Sequence, residues 1–189
     1  MEGFKVVENI TEDAGSVQLK VIPLVIVLLA LTILPIVNIY DINRVKYEFL
    51  NLMEWQIVMP LLIIGTVIHE LLHGIGWMIA GKVGWHKMSF GINWKGLVPY
   101  AHCNQAMPLN RYLVGVLLPY ILLGILPWIM GLILSNFFLL LSGIIFSVAA
   151  AGDIYMGWLL RKRNATDLIL DHPNLIGCQV VEEIKKPSE

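Results

Sequence analysis

Four long apolar runs, separated by short polar breaks, dominate the chain: Val21 to Tyr40, Trp55 to about Ala80, about Tyr112 to Leu134, and Phe137 to Leu160. At 1.5 Å of rise per residue, each is long enough to cross a hydrocarbon core of roughly 30 Å, so each predicts a transmembrane helix. Pro23 falls near the start of the first run, where a helix tolerates it, and Pro35 in the last third predicts a kink. Gly81-Lys82 ends the second run. Only Ser135-Asn136 divides the third from the fourth, which predicts a tight helical hairpin.

The breaks differ in kind. Asp41 to Glu54 is a polar link, whereas Gly84 to Leu109 contains a stretch, Met88 to Cys103, with strand-like alternation interrupted at Lys95-Gly96. That pattern predicts a small β-hairpin. The competing reading is a membrane-surface loop anchored by Trp85, Trp94 and Tyr100. Near the C-terminus, Asp167 to Val181 carries Asp171-His172-Pro173 ahead of a Leu-Ile-Gly-Cys-Gln-Val-Val run, which predicts a small strand packed beneath the membrane domain. The expected fold class is therefore an all-α polytopic membrane protein with four transmembrane helices and a small β-hairpin between helices two and three. Its expected parts are an N-terminal segment over 1–20, a four-helix domain over 21–160 and a C-terminal tail over 161–189.

Composition agrees with the pattern. With 57% hydrophobic residues, 14% charged residues and a mean hydropathy of +0.73, the 189-residue chain is too apolar for an ordinary soluble domain. A formal net charge of −1 gives no field that would attract nucleic acid. Placement of the positive residues says more. With both termini cytoplasmic, the inside holds Lys5, Lys20, Lys82, Lys87, Lys95, Arg111, Arg161, Lys162, Arg163, Lys185 and Lys186, and the outside only Arg44 and Lys46. Eleven against two satisfies the positive-inside rule and supports four crossings, because a wrong span count would scatter the charges. Arg161-Lys162-Arg163 reads as a topology anchor at an anionic inner leaflet. The acidic N-terminus, with Glu2, Glu8, Glu12 and Asp13, lacks the basic start of a cleavable signal. Cys103 and Cys178, both expected on the cytoplasmic side, show no pairing that predicts a disulfide.

Candidate chemistry sits inside the second run. His69-Glu70-Leu71-Leu72-His73 is an H-E-x-x-H pattern, and on a helix residues four apart share a face, so both imidazoles can address one metal ion. Glu70, roughly 100° round the same turn, can handle a proton beside that metal without being a ligand. Three ionisable residues among otherwise apolar neighbours in a membrane helix are expensive, which favours function over accident. The plainer reading has the two histidines hydrogen-bonding to adjacent helices.

A catalytic zinc ordinarily takes a third protein ligand. Between Glu70 and Asp153 the chain has no acid, and Asp153 is the only one within the third and fourth runs. Depth supports the pairing: His73 lies nine residues before Lys82, about 14 Å of helix, and Asp153 eight before Arg161, about 12 Å. Gly152 and Gly157 would let helices approach closely there, with helix capping or a salt bridge as the competing role for Asp153. His102 with Asn104 is a candidate oxyanion donor if the hairpin folds back, while His86 and His172 read as solvated. Gly74, Gly76 and Gly81 either open a path for water or pack helices.

These residues resemble the site-2 protease type of intramembrane zinc metalloprotease. They are most similar to a compact bacterial family of zincin-type peptidases, over roughly Trp55 to the Asp171-His172-Pro173 tail. The specific parts are H-E-x-x-H-G at His69 to Gly74 and Gly152-Asp153. In site-2 proteases the third ligand lies in an Asn-x-x-Pro-x-x-x-Leu-Asp-Gly motif; here Ile154 follows Asp153, and no Asn counterpart is assigned. The resemblance implies zinc on His69, His73 and Asp153, Glu70 as general base, and hydrolysis of membrane-tethered or transmembrane protein substrates in a bacterial cytoplasmic membrane. It also implies that the hairpin pairs with an unwound substrate, since a helical peptide bond is closed to attack. A metal-binding or transport protein and a catalytically silent scaffold are the alternatives.

Overall fold

In the computed structural model, residues 3–94, 98–172 and 175–184 are described. The interruption at Lys95-Gly96, together with Pro173, Lys185 and Lys186, lies outside them. Strand β1 (Phe4–Glu12) leads into helix α1 (Ala14–Ile39), which starts where the Asp13 carboxylate accepts the Gly15 and Ser16 N–H groups. The polar link is itself a helix, α2 (Ile42–Leu52), capped in the same way by Asp41. Val45, Phe49 and Leu52 from α2 pack on a core of Ile36, Phe137, Leu140 and Ile144, and the Arg44 guanidinium lies over the Tyr40 and Phe137 rings.

Helix α3 (Trp55–Gly81) ends on Lys82 in the left-handed region (φ 55°), where the Gly81-Lys82 stop was expected. The hairpin follows as β2 (Met88–Asn93) paired antiparallel with β3 (Val98–Cys103). The third apolar run is one continuous path of α4 (Leu109–Pro119), a π-helical stretch over Tyr120–Ile125, and α5 (Leu126–Leu134). The fourth is bent by 45° between α6 (Phe137–Ala149) and α7 (Ala151–Leu160).

Three helices, Gly15–Ile39, Trp55–Gly81 and Leu109–Leu134, are long and apolar enough to cross a bilayer, with the bent pair a fourth if counted as one span. Only 17–22% of their most apolar windows is buried inside the protein. Side chains such as Leu31, Ile63 and Ile133 therefore need another apolar phase to cover them, and this marks the chain as a membrane protein.

The expectation of an all-α protein holds for the bundle and fails at the chain's ends. A four-stranded antiparallel sheet, ordered β1-β6-β5-β4, is built from β1, β4 (Met107–Pro108), β5 (Leu168–Asp171) and β6 (Ile176–Glu183). The strand anticipated in the tail is two strands, and the N-terminal segment pairs with the second of them, β6, Phe4 opposite Glu183 and Glu12 opposite Ile176. Glu8 and Arg163 add an ion pair. Where the sheet meets the bundle, Trp77, Val83, Cys103, Met107, Tyr112, Leu160, Ile169 and Cys178 form the main core.

Candidate metal centre

Helix α3 turns a buried stripe of His69, His73, Gly74, Gly76 and Trp77 toward α4. Its glycines serve packing. A Cβ on Gly76 would sit 2.5 Å from the Gly115 Cα, and one on Gly74 would sit 2.7 Å from the Phe90 ring. Close approach was expected instead at Gly152 and Gly157; Gly152 has nothing within 4 Å of its Cβ position, and Gly157 meets only ordinary contacts with Leu113 and Leu117. The tight crossing is thus α3 on α4, which carries the histidines inward. The α6–α7 bend then swings Asp153, in the first turn of α7, toward them. There the unpaired N–H groups of a helix start favour a carboxylate.

The three side chains meet. His69 Nε2 lies 3.1 Å from Asp153 Oδ2, His73 Nε2 lies 3.6 Å from Asp153 Oδ1, and the ligand atoms all fall within 4.8 Å of one another. His73 Nδ1 is 3.0 Å from the Gly115 carbonyl oxygen. A carbonyl can only accept, so that nitrogen carries the hydrogen and Nε2 keeps its lone pair for the centre. His69 Nδ1 is buried with no hydrogen-bond partner among the described residues. Two imidazoles and one carboxylate converging at this range have the donor set of a three-ligand zinc site. The residues fit such an ion.

Glu70 leaves the trio and faces two adjoining spaces. One, about 210 Å³, is lined by Thr66, His69, Glu70, Pro99, Phe146 and Ala149. The other, about 580 Å³, runs between α3 from Leu62 to Leu71 and the hairpin residues Phe90 to Ile92, Pro99 and Tyr100. The hairpin thus lies alongside the motif helix, and its orientation is readable. Asn104 N–H donates to the Lys87 carbonyl, and His102 stands opposite Ser89, so alternate β3 residues turn their main chain toward β2. Pro99, Ala101 and Cys103 turn theirs away. The Ala101 N–H points at the Glu70 carboxylate, and the Cys103 N–H donates to Asp171 Oδ2 at 2.7 Å.

The other sequence candidates are engaged elsewhere. His102 Nδ1 is 3.8 Å from Asp171, and Asn104 Nδ2 donates to Ser89 Oγ, so neither faces the trio. His172 Nδ1 accepts the Leu175 N–H. Sequence reasoning passed over a second polar centre: Asp171 Oδ1 accepts the Tyr112 hydroxyl at 2.6 Å. Tyr112 stacks on Trp77, whose indole N–H donates to the Tyr112 carbonyl, and Trp77 stacks on His73 at 5.7 Å and 20°. The usable signal was Asp171 itself, an acid among apolar tail residues.

An apolar helical bundle with two histidines and a carboxylate gathered inside it defines a membrane protein whose interior carries a donor set able to hold a metal ion. A family model described as "Putative zincin peptidase" matches residues 62–168, and the chain belongs to that family. Membership makes it a metallopeptidase by family, with zinc as the implied metal. Searches of curated proteins and of solved structures found no significant match.

Proposed function

We propose that the protein is an intramembrane zinc metalloprotease, with His69, His73 and Asp153 as ligands and Glu70 as general base. The observation that carries this reading is the convergence of the three ligand side chains within 4.8 Å beside a cleft that Glu70 lines. A zinc ion held there would supply Lewis-acid polarisation of a carbonyl and acidify a water. This chain's own residues do the rest. The Glu70 carboxylate accepts a proton from the attacking water and returns it to the leaving amine, with the Ala101 N–H near that carboxylate. His73 is kept in one tautomer by Gly115.

Substrate is a membrane-tethered or transmembrane segment in extended form. Ile92 and Pro99 line one cleft with α3 residues from Leu62 to Leu71, a stretch that begins about 10 Å before His69 on the N-terminal side of the helix, so the hairpin flanks an apolar cleft that extends past the ligands. Main-chain groups of an unwound peptide in such a place need partners, and the hairpin beside the cleft is the proposed seat for it. Pairing of β1 with β6 keeps both ends of the chain together, which requires an even number of crossings and favours the bent pair as a fourth span. With the charge bias, this supports cytoplasmic termini and access from the cytoplasmic side. Among the described residues, one cluster of three metal-type side chains is found. A transport path would call for more than one.

The test is metal analysis and cleavage of a membrane-tethered reporter by full-length protein in bilayers. Glu70→Gln keeps stoichiometric zinc and loses cleavage; Asp153→Ala loses zinc. Full activity of Glu70→Gln would remove the base assignment, and wild-type zinc affinity in Asp153→Ala would remove the third ligand.

A further inference from the structure

The outward edge of β3 is not left open along its length. Of its three main-chain positions facing the bundle, Pro99 has no N–H, Ala101 points its N–H at Glu70, and Cys103 donates to Asp171. Asp171 therefore closes the edge at Cys103, two residues from the position that addresses the proposed base. Its second oxygen holds the Tyr112 hydroxyl, and from Tyr112 a continuous stack runs through Trp77 to His73. One carboxylate at the end of β5 is thus bonded to two arms. The first ends at Glu70 and the second at His73.

A buried acid is a costly way to tie two elements together. Asp171 is 8% exposed, with His102 Nδ1 at 3.8 Å and His73 farther off as nearby imidazoles. Two apolar side chains would join a sheet to a bundle without the desolvation penalty. What a carboxylate adds is direction: its two oxygens fix an O–H and an N–H at set angles, so the strand cannot slide relative to the tyrosine. A slip of one residue along β3 would place the main chain of Tyr100 or His102 toward Glu70 and turn the Ala101 N–H away.

We propose that Asp171 is a positioning residue for the metallopeptidase site, holding the β3 edge in register over Glu70 and, through Tyr112 and Trp77, fixing the ring of His73. The inference rests on the roles given above to Glu70 and His73. It adds that a residue of the terminal sheet, outside the membrane bundle, sets their geometry.

The experiment uses full-length protein in nanodiscs and two variants, Asp171→Asn and Tyr112→Phe. Asparagine keeps the shape but can accept only one of the two donors, whereas phenylalanine keeps the stack and cuts the hydroxyl tie. In Asp171→Asn, amide exchange at Ala101 and Cys103 should accelerate roughly 10- to 100-fold, the factor set by losing a hydrogen bond to a charged group. Exchange in α5 and α6 should stay at the wild-type rate. With Co²⁺ as the bound probe, both variants should shift the visible absorption bands while holding one equivalent of metal. In the reporter assay kcat should fall about 10- to 100-fold, the cost of a slightly misplaced group, with KM changed less.

A purely structural tie would accelerate exchange across the whole sheet and bundle alike and leave the Co²⁺ spectrum unmoved; either result overturns the proposal. Should Asp171→Asn fail to fold, Tyr112→Phe carries the spectral test alone. The two readings fail separately. Full cleavage by Glu70→Gln removes the base assignment and leaves the exchange and Co²⁺ results standing. Wild-type exchange and spectra in the Asp171 variant, with Glu70→Gln inactive, remove only the positioning role.

Discussion

Two carboxylates, Asp153 at the start of α7 and Asp171 at the end of β5, make opposite use of their lone pairs. Asp153 faces two imidazole nitrogens at 3.1 and 3.6 Å, groups that can themselves be ligands. Asp171 faces an O–H and an N–H at 2.6 and 2.7 Å, each of which gives it a hydrogen. Lone pairs converging on one point make a place for a cation, whereas lone pairs matched by fixed donors make a joint. The difference separates ligand from framework more cleanly than burial does, since both acids lie mostly inside the protein.

The comparison breaks first at the metal. Asp153→Ala should lose stoichiometric zinc on purification, and Asp171→Ala should keep it; metal content by elemental analysis decides. Glu70→Gln should retain zinc while cleavage falls roughly 100- to 10,000-fold, the usual worth of a general base. Stability should rank the two acids the other way. With zinc chelated, Asp171→Ala strands the Tyr112 hydroxyl and the Cys103 N–H and should cost about 2–4 kcal/mol in denaturant unfolding, more than Asp153→Ala under the same conditions.

A smaller effect follows from pH. Burial holds the Asp171 carboxyl above its ordinary range, an effect that the Tyr112 hydroxyl, the Cys103 N–H and the nearby His102 only partly offset. A folded-state value above the unfolded one means that the folded chain binds the proton more tightly. Its contribution to stability is full below the ordinary carboxylate range and is lost as pH rises through the raised value. Asp171→Asn should flatten that part of the stability curve, measured as denaturation midpoints across the acidic range. The smallest effect concerns the two thiols beside Asp171. Burial pushes Cys103 up to about 11 and Cys178 up to about 12. At about pH 8 both should resist alkylation in the folded protein and react once it is denatured, read by mass spectrometry.

Much of the bundle was legible along the chain because its signals are local. The apolar length of Trp55–Gly81 and the four-residue spacing of His69 and His73 are properties of one helix. Alternation over Met88 to Cys103 predicted the hairpin by its own period. The terminal sheet was not legible. β1 is polar and half exposed, and its partner in β6 lies at the other end of the chain, so no window of sequence contains the pair. The Asp41–Glu54 link reads as polar along the chain because its apolar positions, Val45, Phe49 and Leu52, become a face only once wound into a helix.

By itself, the sequence determined what must lie in an apolar phase and which residues could serve as ligands, since hydrophobic length and helical spacing need no knowledge of neighbours. Tertiary structure alone decided what each acid does. Asp153 reaches the histidines because α7 bends away from α6, and Asp171 meets a backbone N–H 68 residues distant because the closing sheet carries it there. A carboxylate's role depends on whether donors or lone pairs surround it, and that is settled only when distant segments pack.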